Sequence, residues 1–466
     1  MSTHNFDYDT IVIGGGFAGV SAVRDLADQG YHVLLLEARN RLGGRTWSET
    51  KKVGDFEGVV EHGGQWIWSD RQINMVAEVA RYGITVEHSP FPDYFPTLAH
   101  GEHNPGPLPV PLEEIYDFEK AYFRIMTDVH RITRGVPLDK QNLSDLDIPW
   151  GEYLDNLGVG PKTRAFFSFI GANNAARYPD ETSALPLLAF VAGLDHSLLR
   201  TWGVVDEYLK EGTGALVNAM ADDSGADIRY ETPVARVEQN DDGVTVTTRA
   251  GDSFTAKTAV IATPLVCWSD IVFSPVLSPV KTAMSAERHV SYPIKFWAQV
   301  KGAPKPVATI ADADSSNGAF IAFTQHDLGD DGQVIVGFFI DHPDRPSFGT
   351  DFAGVEQFIQ TLYPGAELVA FDLHRWVTDE WSGNGGYVAF QPGRISQTHS
   401  ELGRPEGKLF FATSDIATSF NGWIEGAVDS GKKAAVDAAR QMTRDAIEVA
   451  VRAHASSAGA PVSAAR

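Results

Sequence analysis

Cysteine is almost missing. One residue, Cys267, stands among 466, which excludes an intramolecular disulfide, a cysteine zinc site and an iron–sulfur cluster. No metal is expected, and a reducing, cytoplasmic setting fits. Positive charge is scarce as well. Lys and Arg number 38 against 61 Asp and Glu, a formal net charge of −23. That balance excludes a nucleic-acid coat, because phosphate binding needs clustered cations. It favours a cationic ligand through the long-range field, or serves solubility alone. Long apolar runs are lacking too, and none approaches the roughly 18 residues of a membrane helix. Met1 to Thr10 carries no Lys or Arg, and glycines break the apolar stretch that follows, so it does not read as a signal peptide. Neither nucleic acid nor membrane is expected as a partner.

What is present is ordinary for a globular chain, 43% apolar and 21% charged residues. Length over ~150 gives about three domain-sized units, or two large interleaved ones. Residues 451–466, rich in Ala and Ser and without periodicity, read as a disordered tail.

Tyr8 to Ile13 reads as a buried strand. Gly14, Gly16 and Gly19 then form G-x-G-x-x-G, enclosing Phe17 and Ala18. Helical periodicity runs from Val20 to Gln29, with Gly30 as the expected C-cap. His32 to Leu36 is a second strand, and Glu37 follows it. This is the pattern of a dinucleotide site. Gly14 permits the tight turn, Gly16 lets backbone approach a pyrophosphate, and Gly19 lets helix and strand pack closely. The helix N-terminus offers N–H groups and partial positive charge to phosphates. Glu37, 18 residues past Gly19, stands where an acid binds a ribose hydroxyl. The motif alone does not separate NAD from FAD.

Arg39-Asn40-Arg41-Leu42-Gly43-Gly44-Arg45 suits a loop against an extended cofactor, with a guanidinium reaching its phosphates. Glu61-His62-Gly63-Gly64-Gln65-Trp66 sets glycines beside an aromatic, as needed where backbone approaches a flat ring. Far along the chain, Lys408 to Thr413 reads as a strand, followed by Ser414-Asp415 and Asn421-Gly422-Trp423-Ile424-Glu425-Gly426-Ala427.

The run from Glu37-Ala38-Arg39 to Gly43-Gly44-Arg45, after Gly14 to Gly19, resembles the flavin amine oxidases, the monoamine oxidase family. The Gly422 to Ala427 segment resembles the family's last FAD segment. The two stand in the family's order some 370 residues apart, and the resemblance covers the chain to about residue 445. It implies FAD and a mixed α/β fold: a Rossmann-type FAD-binding domain interleaved with a substrate domain of helices and a mixed sheet. Residues 1–75, 206–285 and 391–450 are expected in the first domain, and 76–205 and 286–390 in the second. A helix opening near Gly422 would stabilise the negative charge of reduced flavin, and Asp415 is expected to hydrogen-bond the ribityl chain.

The resemblance also assigns site residues. Val234 would meet the adenine end through its backbone, and Ala262-Thr263-Pro264 resembles the family's turn beside the cofactor. Lys295, a lysine among apolar and aromatic neighbours, is costly to bury without a role; in the family it holds a water at flavin N5 and serves O2 reduction. Tyr387 and Trp423 match the two walls of the aromatic cage, though the second is usually tyrosine. Trp376 resembles the tryptophan packed near the isoalloxazine. Gly386 stands where mammalian members carry the cysteine that binds flavin, so FAD is expected to be non-covalent. Within the family, Leu146-Asp147-Ile148-Pro149, Thr182-Ser183-Ala184-Leu185 and Trp423-Ile424-Glu425 are most similar to the members that oxidise 6-hydroxynicotine. Those carry a ring-orienting asparagine that falls on Asn173; their cage order, Trp then Tyr, is swapped here. Residues 303–335 do not align and are expected to line the pocket.

The implied reaction moves a hydride from the carbon beside an amine nitrogen to flavin N5, and then electrons to O2, giving peroxide. The expected substrate is (S)-6-hydroxynicotine or a related cyclic or secondary aryl amine. A primary-amine or polyamine oxidase, a dehydrogenase or desaturase not using O2, and a flavoprotein that only binds are the alternatives. A homodimer is left open.

Overall fold

A computed structural model describes residues 6–93, 95–203 and 205–458. Residues 1–5 of the polar N-terminus and 459–466 of the expected tail lie outside them.

β1 (Tyr8–Ile13), α1 (Phe17–Ala27) and β2 (Val33–Leu36) form the expected strand–helix–strand unit. Ile11 to Ile13 and Leu34 to Leu36 are all buried, as in a parallel strand covered on both faces. β1 pairs in parallel with β2, Ile11 opposite Leu34, and on its other side with Ser253–Ile261, Ile11 opposite Ala259. α1 ends at Ala27 with Asp28 as its C-cap, not Gly30. Gly30 takes φ +85° instead, and its N–H donates to Ala27 O at 2.8 Å, closing the turn just beyond the helix.

Among the described residues this sheet runs Asp227–Arg229, β2, β1, Ser253–Ile261, Val244–Thr248, Val234–Gln239, Val272–Ser274. Leu409–Phe411 also pairs with Ser253–Ile261. In the hairpin between Val234–Gln239 and Val244–Thr248, Asn240 Oδ1 accepts from the N–H groups of Asp242 and Gly243 at 2.9 and 3.1 Å, the Asx turn that Asn-Asp-Asp-Gly favours. One sheet thus gathers strands from the beginning, middle and end of the chain.

A second sheet runs Glu367–Arg375, Pro293–Lys301, Gln333–Ile340, Ala319–Asp327, Ala308–Ala311, Thr97–Ala99, Glu102–Asn104. Its pairs are antiparallel except Ala308–Ala311 with Thr97–Ala99. Helix Phe352–Leu362 covers one face, burying Phe358, Ile359 and Leu362 with Phe296 and Phe339. Helices Ile115–Val129 and Pro161–Ala175 meet through Phe118, whose ring lies 5.3 Å from those of Phe166 and Phe167. Together the elements make a mixed α/β fold.

The tail expectation is corrected over part of its length. Helix Ile424–Ala458 continues through 451–458. Alanine has the best helix propensity, and Arg452 reaches Glu448 one turn back at 3.4 Å, so composition that looked unstructured extends the helix. Among the described residues, no helix is long and apolar enough to cross a membrane, and no group of three or more His, Cys, Asp or Glu could hold a metal ion.

Candidate active site

The chain turns sharply where β1 meets α1. Gly14 has φ +108°, and a Cβ there would lie 2.8 Å from Ala262 O, so only glycine fits. Gly16 caps α1 with no side-chain bond, and no acid lies in the first turn, leaving the helix amides to an anion. Gly19 does not reach the cavity; it packs on the Gly14 carbonyl, as its spacing suggested. The Glu37 carboxylate accepts from Gly15 N at 2.6 Å and Arg39 N at 2.8 Å. It ties the glycine turn to the arginine loop.

The loop's guanidiniums bind protein before anything else. Arg39 donates to Asp379 at 2.7 Å. Arg41 donates to the carbonyls of Leu42, Gly44 and Thr46 and stacks over Trp47 at 4.8 Å. Arg45 grips Asp415 with two nitrogens at 2.7 and 3.1 Å.

Asp415 corrects an expectation. Expected to bond a ribityl chain, its side chain is fully buried and does not line the cavity. Besides Arg45, its oxygens accept from Leu265 N at 3.0 Å and Thr413 Oγ1 at 3.1 Å. Burial opposes its charge, but Arg45 and these donors hold the carboxyl below its ordinary range. Its work is to hold Arg45, which does face the cavity.

One cavity of about 500 Å³ joins the pieces. It extends from the Gly14 turn, past Val234, Thr263 and Trp376, to Asn173, Tyr387 and Trp423. Every residue singled out above as catalytic or cofactor-binding lines it, except Gly19 and Asp415. Thr263 Oγ1 is buried there with no hydrogen-bond partner. That orphan hydroxyl, the uncapped helix and the bare glycine turn fit an extended dinucleotide with its phosphates at α1.

Gly386 leaves no room for a side chain: a Cβ would lie 2.7 Å from Ser291 Oγ and 2.9 Å from Pro293 Cγ. Cys267 also lines the cavity, but burial pushes its thiol up to about 12, and it donates to Trp381 O at 3.7 Å. It is a thiol, not a nucleophilic thiolate.

At the other end stands Lys295, on strand Pro293–Lys301 and 3% exposed. Its Nζ donates to Gln65 Oε1 at 2.7 Å and Gly63 O at 3.0 Å, and sits 4.5 Å from the Trp66 ring centre. Burial pushes its amine down to about 7, and the charge of Glu61 only partly opposes this. Glu61, wholly buried, is raised by burial despite Lys295 and bonds from Thr213 and Ser48. Trp376 donates its indole N–H to His62 O at 2.9 Å. Tyr387 N donates to Ser291 Oγ at 2.8 Å and its hydroxyl to Asn173 O at 3.5 Å.

Phe320 and Phe338 complete this end; neither was singled out in the sequence, though Phe320 falls in the 303–335 segment that does not align and is expected to line the pocket. Phe338 is the direct cross-strand partner of Lys295; the usable signal was a phenylalanine-rich strand that alternation would pair with the lysine strand. Asn174, next to Asn173 in the chain, also lines the cavity; its Nδ2 donates to Ile170 O at 2.9 Å while Oδ1 is buried without a partner.

The family model for flavin containing amine oxidoreductase matches residues 17–439. The chain is 34% identical to (S)-6-hydroxynicotine oxidase of Paenarthrobacter nicotinovorans, over 91% of this chain and 98% of that protein. It is 31% identical to pseudooxynicotine dehydrogenase of Pseudomonas sp, over 92% and 86%. Among solved structures it resembles putrescine oxidase bound to putrescine (TM-score 0.80, 23% identity, 92% and 98% covered). Cyclohexylamine oxidase from Brevibacterium oxydans is similar in fold as well (TM-score 0.79, 22% identity, 94% and 100% covered).

Proposed function

The chain belongs to the flavin-containing amine oxidoreductases, an FAD-dependent family, and on that footing we propose that it oxidises (S)-6-hydroxynicotine or a related cyclic or secondary aryl amine, with O2 taking the electrons. FAD, when bound, supplies the acceptor for the hydride leaving the carbon beside the amine nitrogen.

The observation that carries the reading is the aromatic end of the cavity. Phe320, Phe338, Tyr387 and Trp423 wall it, and Lys295 is its buried amine. The carboxylates that line the cavity are elsewhere: Glu37 in the glycine turn, Asp270 in an ion pair with Arg288, Glu380 beside Trp381. An ammonium finds no counter-ion among the rings, so the amine binds neutral, as hydride loss requires. A diamine, whose distal ammonium needs an acid, is disfavoured. Asn173 presents an amide for a ring hydroxyl or ring nitrogen. Tyr387 and Trp423 hold the substrate between flat faces. Lys295 Nζ uses two N–H groups on Gly63 and Gln65; what remains for a water or an oxygen species is a third N–H when protonated and the lone pair when neutral. With non-covalent FAD, mild denaturation releases the flavin.

A second reading replaces O2 by another acceptor. It is favoured by two relatives named as dehydrogenases, of pseudooxynicotine and of nicotine. One experiment separates the cases: anaerobic bleaching of the holoenzyme by (S)- and (R)-6-hydroxynicotine, nicotine, tyramine, benzylamine and putrescine, then air and a peroxide assay. Rapid bleaching by the S isomer with peroxide supports the proposal. Bleaching without peroxide selects the dehydrogenase. Bleaching only by primary amines discards the nicotine substrate.

A further inference from the structure

Trp423 lines the cavity, and two other rings lie against it. Trp68, just past strand Trp66–Ile67, stacks on it at 5.5 Å and 14°. Phe190, in helix Ala184–Gly193, stacks at 5.3 Å and 11°. Trp68 and Phe190 are themselves 6.1 Å apart and 24° from parallel. Rings on opposite faces of one indole would stand about 7 Å apart or more, twice the roughly 3.5 Å of carbon contact. Both therefore lie on the same face. They are 8% and 6% exposed, and neither lines the cavity. Trp68 is pinned from below, its backbone N–H donating to Gln72 Oε1 at 3.1 Å.

We propose that Trp68 and Phe190 are positioning residues, a platform that holds the Trp423 indole flat and so sets a preference for amines carrying a planar ring over open-chain amines. The proposal rests on Trp423 being a substrate wall. A wall already ordered costs a stacking ligand nothing to order, and offset aromatic stacks add to area burial. Without the platform the indole can tilt into the vacated space, and a ring substrate must reorder it. An open-chain amine, which gains little from stacking, loses little.

The test uses the holoenzyme and compares (S)-6-hydroxynicotine with n-butylamine in kcat and KM. Phe190→Ala is expected to raise KM for the ring substrate about tenfold, the scale of one aromatic pair, with kcat and the n-butylamine KM nearly unmoved. Phe190→Leu, which fills the volume without a flat face, behaves the same and serves if the alanine variant fails to fold. Trp68→Phe keeps a ring and keeps wild-type values. The dissociation constant of 2-hydroxypyridine, read from the flavin absorbance, follows the same ranking. A ring-to-chain ratio unchanged in both Phe190 variants, or an equal loss for both amines, overturns the platform and leaves the function reading intact. A wild-type enzyme with no ring preference overturns both, and that is seen before any variant is made.

Discussion

Two buried charges flank the same cavity and are treated in opposite ways. Asp415 has a bidentate arginine and backbone donors, and its carboxyl stays charged. Lys295 has only neutral acceptors, Gly63 O and Gln65 Oε1, and no carboxylate within salt-bridge distance among the described residues. Its amine is pushed down to about 7, toward the neutral form. A fully partnered charge is structural; a buried charge left short of partners can change protonation state, which chemistry needs.

The most severe way to break the comparison is Arg45→Ala. It leaves Asp415 buried and uncompensated, for an expected loss of about 3–5 kcal/mol, read as a fall in Tm and in flavin content. The pH dependence is also set. A carboxyl held below its ordinary range adds stability above that range, and loses it as pH falls. An unchanged Tm in the variant would deny Asp415 its structural role.

Lys295→Met should act in the other direction on stability. A buried amine with a depressed folded pKa costs stability where it must be protonated, below about 7, and the cost fades as pH rises toward the unfolded value. The variant is therefore expected to be more stable by about 2–4 kcal/mol near pH 6, with the gain shrinking toward pH 10. Stopped-flow reoxidation by O2 should slow in the same protein. A pH-independent Tm difference, or full-speed reoxidation, would mean that Lys295 is an ordinary core residue.

Trp423→Ala sharpens the contrast at the aromatic end. We expect kcat/KM for an aryl amine to fall by about 1–2 kcal/mol in transition-state terms while FAD stays bound. Loss of flavin would make the position structural. The smallest effect belongs to Asn173→Ala: about 1 kcal/mol less discrimination between 6-hydroxynicotine and nicotine, measured as a ratio of kcat/KM. An unaltered ratio would shift attention to Asn174, whose Oδ1 is the partnerless acceptor.

The same contrast explains what the sequence disclosed. The glycine turn, β1, α1, β2 and Glu37 lie within thirty residues of one another, and their spacing carries their chemistry. The second signature at Gly422 to Ala427 was equally legible. What stayed hidden depends on strand pairing across long separations. Phe338 reaches Lys295 only through a ladder, and Trp68 and Phe190 meet under Trp423 from three segments. Asp415 was read as an acceptor for the cofactor because a motif shows an acid's position but not which buried arginine will claim it. The 451–458 helix was missed because alanine-rich composition serves coil and helix alike.

The sheet around β1 has a consequence for how the protein is made. β1 and β2 leave the ribosome first, yet Ser253–Ile261 must arrive to flank β1, and Leu409–Phe411 later still. Helix Ile424–Ala458 then closes on the oldest part of the chain, with Ser21 Oγ donating to Val428 O at 3.3 Å. The first three hundred residues hold the glycine turn and both edge strands of the sheet, but not Leu409–Phe411 or the helix beside it. Such late, non-local closure makes folding slow, and the cavity is walled completely only when Tyr387, Ser414 and Trp423 have joined the glycine turn.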